Sequence, residues 1–210
     1  MEKQKGYYSN FRSDLLKLIP ANCTKILDVG CGEGLLGAKL KEFRNDIDLY
    51  GVEMFDLAAE KAEGRYTKIF RGDVEKIDIS NYKNYFDCII YGDVLEHLID
   101  PWQLLKKHRE SLNDCGFVIA SIPNVQYYKI IFDLIMGKWT YQNQGIMDQT
   151  HLRFFTKESI KNMYSFAGYD ILNISGNLCG WKTTFINKIT LGFFERFFIV
   201  QYLVVAQKKK

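Results

Sequence analysis

The run Lys25–Gly34, KILDVGCGEG, constrains this chain more than any other stretch of it. An apolar segment ends at Asp28 and Val29, glycines follow at 30, 32 and 34, and LLGAKLKEF then carries helical periodicity. Strand, glycine turn and helix in that order form a ligand site in α/β folds. Glycine reaches positive φ and lets a ligand approach the backbone where a Cβ would block it. Amides without intrahelical partners at the start of the helix face the same space. The spacing narrows the ligand: a dinucleotide fingerprint needs G-x-G-x-x-G, and Leu35 stands where the third glycine would be. The pattern present is D-x-G-x-G-x-G, and the Asp28 carboxylate suits a cationic ligand group better than a pyrophosphate.

On these residues the chain resembles the class I S-adenosylmethionine-dependent methyltransferases, whose first motif is E/D-x-G-x-G-x-G. The resemblance implies a single α/β domain over 1–210 with S-adenosyl-L-methionine as cofactor. Its sheet would be Rossmann-like and seven-stranded, mostly parallel with an antiparallel last strand, with helices on both faces. Asp28, Gly30, Gly32 and Gly34 then line the cofactor site. Asp48–Glu53, DLYGVE, reads as the second strand, and a carboxylate at its end accepts two hydrogen bonds from a ribose diol, which makes Glu53 a candidate. Met54 and Phe55 offer apolar surface to the adenine. After a helix at Asp56–Glu63 and a third strand at Tyr66–Arg71 comes Gly72-Asp73-Val74, the element that meets the adenine edge in the family, so Asp73 and Val74 join the list.

Phe86–Tyr91 is an unbroken apolar run, as expected of a parallel strand buried on both faces. At its carboxyl end lies GDVLEHLIDP, residues 92–101, where open α/β sheets bind their ligands. Asp93 is assigned there to the cofactor and His97 to catalysis. Asp93, Glu96 and His97, D-x-x-E-H, also resemble the E-x-x-E-H with which ubiquinone-pathway O-methyltransferases hold a divalent cation, an oxygen-rich set suited to magnesium or calcium. The shorter Asp93 arm departs from that motif, and the reading adopted is a site without metal. Further on, Asp148–Thr156, DQTHLRFFT, resembles the D-x-T-H-x-R-F-F-T of methyltransferases from bacterial surface-polysaccharide and nucleotide-sugar pathways. That resemblance implies His151 and Arg153 directed at the acceptor, with Phe154 and Phe155 in the core. Neutral imidazole is matched to proton removal near pH 7, so His97 and His151 are the catalytic candidates, and His108 is placed on a helix surface.

The remaining elements follow from periodicity and punctuation. A first helix is predicted over Phe11–Ile19, stopped by Pro20, with Tyr7 and Tyr8 packing at the domain edge ahead of it. Residues 81–85 read as a surface turn. Asp100 caps a helix over Pro101–Leu112, Gly116–Ile122 is a fifth strand, and Thr156 caps a helix over Lys157–Ala167 that ends at Gly168. A sixth strand covers Tyr169–Gly176 and a final antiparallel one Phe197–Lys208. Two aromatic stretches, 125–150 and 177–196, read as lid segments that exclude water and hold the acceptor.

Composition closes off other classes. The net charge is +3 with dispersed cations, which gives no basic face for nucleic acid. Five widely separated cysteines form no C-x-x-C pair, arguing for a reducing compartment and against a zinc site. No stretch approaches the roughly 20 apolar residues of a membrane span, and the N-terminus lacks a signal-type apolar core, so a cytoplasmic location is expected. The expected function is methyl transfer to O or N of a small polar acceptor, such as a sugar or nucleotide-linked sugar. A nicotinamide oxidoreductase and a non-catalytic binding module on the same fold are the alternatives, and the aromatic C-terminal segment suits a homodimer surface or a membrane contact.

Overall fold

A computed structural model describes residues 12–178, 189 and 192–209. Seven strands form one sheet: β1 (Lys25–Val29), β2 (Asp48–Glu53), β3 (Lys68–Arg71), β4 (Phe86–Gly92), β5 (Leu112–Pro123), β6 (Tyr169–Leu178) and β7 (Ile199–Lys208). Their order is β3-β2-β1-β4-β5-β7-β6, and β7 runs antiparallel to both of its neighbours. The chain leaves β1 toward β2 and β3, then returns to place β4 on the other side of β1. That reversal makes β1 and β4 the switch point, and the crevice beyond their carboxyl ends is where such sheets bind ligands.

Sequence period and burial agree on why β4 shows no polar alternation. Ile89 and Tyr91 enter one core with Leu104 and Leu105 from α4 (Pro101–His108) and Ile160, Met163 and Tyr164 from α6 (Lys157–Phe166). Cys88 and Ile90 enter the opposite core with Leu15 from α1 (Ser13–Leu16), Leu36 and Leu40 from α2 (Leu35–Phe43) and Ala62 from α3 (Asp56–Glu63). Both faces of the strand are therefore apolar, each covered by helices. Two further helices are α5 (Tyr128–Ile135) and α7 (Glu195–Phe198).

Most predicted boundaries hold within two or three residues, and the departures have physical causes. The first helix is only Ser13–Leu16, because Leu18 and Ile19 bond back three residues to Leu15 and Leu16 and tighten the chain into a turn before Pro20. Strand β3 begins at Lys68 rather than Tyr66, since the Tyr66 ring turns inward beneath the glycine turn. Helix α4 stops at His108, and β5 starts at Leu112. The predicted turn at 81–85 is not wholly surface: Tyr82 and Tyr85 pack edge-on against Tyr50, and Tyr82 stacks on Phe86. His108, expected on a helix surface, is buried, with Nδ1 2.7 Å from the Tyr91 hydroxyl, and burial pushes its pKa down to about 3. Thr156 caps α6 as predicted, in a reciprocal capping box with Ser159.

The excursion after β5 begins and ends at neighbouring points, with Asn124 bridged to Phe155. None of α5 is buried, and residues 132–145 are exposed without interruption. Tyr7, Tyr8 and most of the second lid stretch, including Trp181, Phe185 and Ile186, lie outside the described residues. Among the described residues no helix is long and apolar enough to cross a membrane.

Candidate active site

The glycine turn is held from both sides. Gly30 and Gly34 take φ of 70° and 79°, where an L side chain is strained. A Cβ on Gly30 would also lie 2.6 Å from Val94 Cγ2, so the turn after β1 packs directly on the loop after β4. The amides of Gly30 and Cys31 donate to the Val52 carbonyl (2.8 and 3.1 Å), and that of Gly32 donates to Glu53 Oε2 (2.8 Å). Glu53 Oε1 accepts the Phe55 amide at 2.9 Å. A buried carboxylate fixed by two amides keeps further lone pairs that a ligand could use.

Asp28 differs in detail from the sequence expectation. It is not an open carboxylate: Tyr66 donates its hydroxyl to Oδ2 at 2.6 Å from beneath the turn. Burial pushes the Asp28 carboxyl up to about 7, the Tyr66 bond pulls it down, and the neighbouring Glu53 charge adds to the rise. Tyr66, which sequence reasoning did not single out, also sets the packing of the helix that follows. A Cβ on Gly37 would meet its ring at 2.5 Å.

The outer half of the cofactor region is assembled from short turns. The Gly72 amide donates to the Glu53 carbonyl (2.8 Å), which sets Gly72-Asp73-Val74 beside the end of β2. Asp73 Oδ1 accepts the Glu75 amide (3.0 Å) and its other oxygen pairs with Lys76 (3.1 Å), while Val74 is buried and Met54 is exposed. Glu75 accepts the amides of Ile99 and Asp100 (3.0 and 2.8 Å), tying this turn to the loop after β4.

That loop divides the predicted D-x-x-E-H group. Asp93 has a φ of 57°, an uncommon conformation for a non-glycine residue. It exchanges two hydrogen bonds with Ser121, its amide donating to Oγ and its Oδ1 accepting from it, both at 3.0 Å. Arg12 and Gln201 also donate to its carboxylate. Glu96 and His97 turn instead toward His151, and the potential ligand atoms of these three lie within 4.8 Å of one another. The Glu96 carbonyl accepts the amides of Leu152 and Arg153 (2.9 and 3.0 Å), bolting the D-x-T-H segment to the turn after β4.

The two catalytic candidates thus meet. Their rings lie 4.7 Å apart, edge to face. His151 Nδ1 sits 3.0 Å from the Ile146 carbonyl, and His97 Nδ1 is 3.1 Å from the Thr150 carbonyl. A carbonyl only accepts, so each ring carries a proton on Nδ1. Asp148 in turn accepts a hydrogen bond from the Thr150 hydroxyl at 2.7 Å, leaving that oxygen to accept from His97 Nδ1 at 3.2 Å. Arg153 departs from expectation: it donates to the Ile99 carbonyl and lies over Trp102 rather than beside the histidines. Phe154 is also not core. It lies 6.3 Å from the His151 ring and 5.3 Å from Trp139 of the exposed excursion, whereas Phe155 is buried. A groove of about 450 Å³ along β6 and α6 sits on the outside of the edge strand and contains none of these residues.

A glycine turn, a ribose-type acid and a histidine pair around one switch point define a nucleoside-binding α/β enzyme site. Residues 2–174 match the model of a family described as a methyltransferase domain, and the chain belongs to that family. It is a methyltransferase dependent on S-adenosylmethionine. A ubiquinone biosynthesis O-methyltransferase of Cereibacter sphaeroides is 25% identical over 174 residues, covering 80% of this chain and 69% of that one. Among solved structures, an S-adenosylmethionine-dependent methyltransferase from Archaeoglobus fulgidus superimposes with a TM-score of 0.66 at 18% identity, over 89% of this chain and 87% of the other. A Thermotoga maritima methyltransferase of the same cofactor class gives 0.66 at 18%, over 93% and 86%.

Proposed function

We propose that this enzyme moves the methyl group of S-adenosylmethionine to an oxygen of a small polar acceptor, or in second place to a nitrogen. A sugar or nucleotide-linked sugar hydroxyl is the first class to test. The observation that carries the reading is the pair His97 and His151, whose rings meet 4.7 Å apart beyond the carboxyl end of β4, each oriented by a main-chain carbonyl at Nδ1. An amine sheds its proton readily, while a hydroxyl generally needs a base at this point. The curated relative from Cereibacter is named an O-methyltransferase, which supports oxygen over nitrogen.

Bound cofactor supplies a methyl group on a sulfonium, a good leaving group, so alignment in a dry pocket carries much of the rate. Glu53 receives the ribose diol, Asp73 and Val74 the adenine edge, and Met54 an adenine face. Gly30, Gly32 and Gly34 admit the cofactor to the backbone, with Asp28 and Asp93 supplying negative charge on either side. One of the histidines would take the acceptor proton during methyl transfer. The excursion over 125–150, whose Trp139 packs against Phe154, is the acceptor lid.

Calorimetry and a product assay test this together. Glu53→Gln should weaken S-adenosylmethionine binding at least about tenfold, because a buried ligand contact and two amide partners are disturbed. His151→Ala should lower kcat on a hydroxyl acceptor roughly 100-fold with cofactor affinity kept, the range expected for a lost proton acceptor. Unaltered affinity in Glu53→Gln refutes the cofactor assignment, and unaltered kcat in both His151→Ala and His97→Ala refutes the acceptor side.

A further inference from the structure

A second cavity lies beside the carboxyl end of β5, and its walls share no residue with the glycine turn or the histidine pair. It holds about 270 Å³, between Lys157 at the start of α6, Phe193, Glu195 and Arg196 at α7, and Ile199 and Tyr202 of β7. The scaffold around it is fixed. Tyr202 pairs with Ile122 of β5 on one side and Gly176 of β6 on the other, and the missing side chain at Gly176 makes room for Ile199, whose Cγ2 would lie 2.4 Å from a Cβ there. Asn124, itself buried, ties α7 to the end of β5 by donating to the Arg196 and Ile199 carbonyls.

Three polar groups meet this space with bonding capacity to spare. The Tyr202 side chain is fully buried, yet its hydroxyl has no hydrogen-bond partner among the described residues. A buried hydroxyl left unsatisfied costs the fold stability, and a ligand that completes it removes that cost. Burial pushes the hydroxyl up to about 12, Glu195 adds to the rise and Arg196 opposes it, so both charges of α7 act on this group. Arg196 and the half-buried Lys157 take part in no ion pair among the described residues. A guanidinium, an ammonium and a hydroxyl around one cavity are the donor set of a bound oxyanion, held by charge-assisted hydrogen bonds. Glu195 on the same wall accepts from neutral hydroxyls, and Phe193 and Ile199 offer apolar surface to a carbon skeleton. We propose that this cavity binds the phosphate monoester of a small sugar or polyol, with the phosphate on Arg196 and Lys157, Tyr202 donating to it and Glu195 accepting from a ligand hydroxyl. The site does not rest on the acceptor reading above, and either can fail without the other.

The test titrates the full chain by calorimetry with glucose 1-phosphate, inorganic phosphate and glucose, each with S-adenosylmethionine present and absent. One equivalent of glucose 1-phosphate should bind under both conditions, about tenfold or more tighter than inorganic phosphate, and glucose should give no measurable heat. Tyr202→Phe should weaken glucose 1-phosphate binding about tenfold and Arg196→Gln at least as much, while Glu53→Gln and His151→Ala leave it unchanged. Tyr202→Phe carries a second readout. Removing an unpartnered hydroxyl should leave the urea midpoint of the ligand-free chain unchanged or raise it, whereas losing a hydroxyl with a structural bond would lower it. The urea transition of each variant also confirms that it is folded. Absence of saturable glucose 1-phosphate binding overturns the proposal, as does binding that survives both Tyr202→Phe and Arg196→Gln. So does binding that S-adenosylmethionine displaces, or that inorganic phosphate or glucose matches in affinity.

Discussion

Replacing Asp28 by Asn separates what this carboxylate does for binding from what it does to stability. In the folded chain burial pushes Asp28 up to about 7, from an ordinary value of 3.8. The folded state therefore holds a proton that the unfolded chain has released, and stability falls as pH rises from about 4 to about 7. At 1.36 kcal/mol per unit, the ionised residue lowers stability at pH 8 by about 4 kcal/mol. Asn has nearly the same shape and still accepts from Tyr66, but its NH₂ replaces a carboxylate oxygen, an exchange costing about 1 kcal/mol. Asp28→Asn should thus be more stable than the parent by about 3 kcal/mol at pH 8. Because roughly two pH units of Asp28 titration lie between pH 5 and pH 7, the gain should be about 3 kcal/mol smaller at pH 5. The assay is urea unfolding of both proteins at the two pH values, where titrations common to both cancel. S-adenosylmethionine binding should move the opposite way and weaken about tenfold or more, since a negative charge near a cationic ligand is lost. Parallel pH profiles for the two proteins would refute the assignment of a proton to Asp28.

Gly37→Ala inserts a Cβ 2.5 Å from the Tyr66 ring, which is packed and anchored at its hydroxyl by Asp28. Overpacking of about 1–3 kcal/mol should outweigh the roughly 1 kcal/mol that alanine adds to a helix, lowering the urea midpoint; a raised midpoint would show that the ring yields. His108→Phe leaves the Tyr91 hydroxyl without its partner and should destabilise by about 1–3 kcal/mol at pH 7. His108 is protonated near 6.5 in the unfolded chain but only at about 3 when folded, so its contribution is present above pH 6.5 and is lost as pH falls toward 3. The phenylalanine variant should therefore lose less stability than the parent between pH 7 and pH 4.5, and denaturation curves that stay equally spaced would contradict this.

The strand ends and turns of the proposed cofactor site were legible because each rests on local chemistry. Buried strands read as apolar runs, Gly30 and Gly34 must take positive φ, and the acid at the end of β2 falls at a spacing set by one βαβ step. The acceptor side was legible only in part. Asp93, Glu96 and His97 look like one group when written in a line, but positive φ at Asp93 turns the chain and sends its carboxylate to Arg12 and Gln201. Arg153 was misplaced because its partner, the Ile99 carbonyl, is a backbone atom with no sequence signature. His108 carried a readable signal that its lysine neighbours masked. It follows Pro101, Leu104 and Leu105 at helical spacing, and that stripe faces the core.

The Asn124–Phe155 bridge has an implication for how such an enzyme changes acceptor. Asn124 is buried, and its side-chain amide donates to the Arg196 and Ile199 carbonyls at 2.7 Å each, while the Val125 amide donates to Phe155 at 3.0 Å. The excursion therefore departs and rejoins at a sewn seam, and closing a longer or shorter loop across a fixed gap alters the entropy only logarithmically with length. Its exposed middle, 132–141, is a cassette that insertion, deletion or exchange between relatives can rewrite while the histidine segment stays held by Glu96, by the Ile146 and Thr150 carbonyls, and by the Gln142 and Gly145 backbone bonds to 147–149.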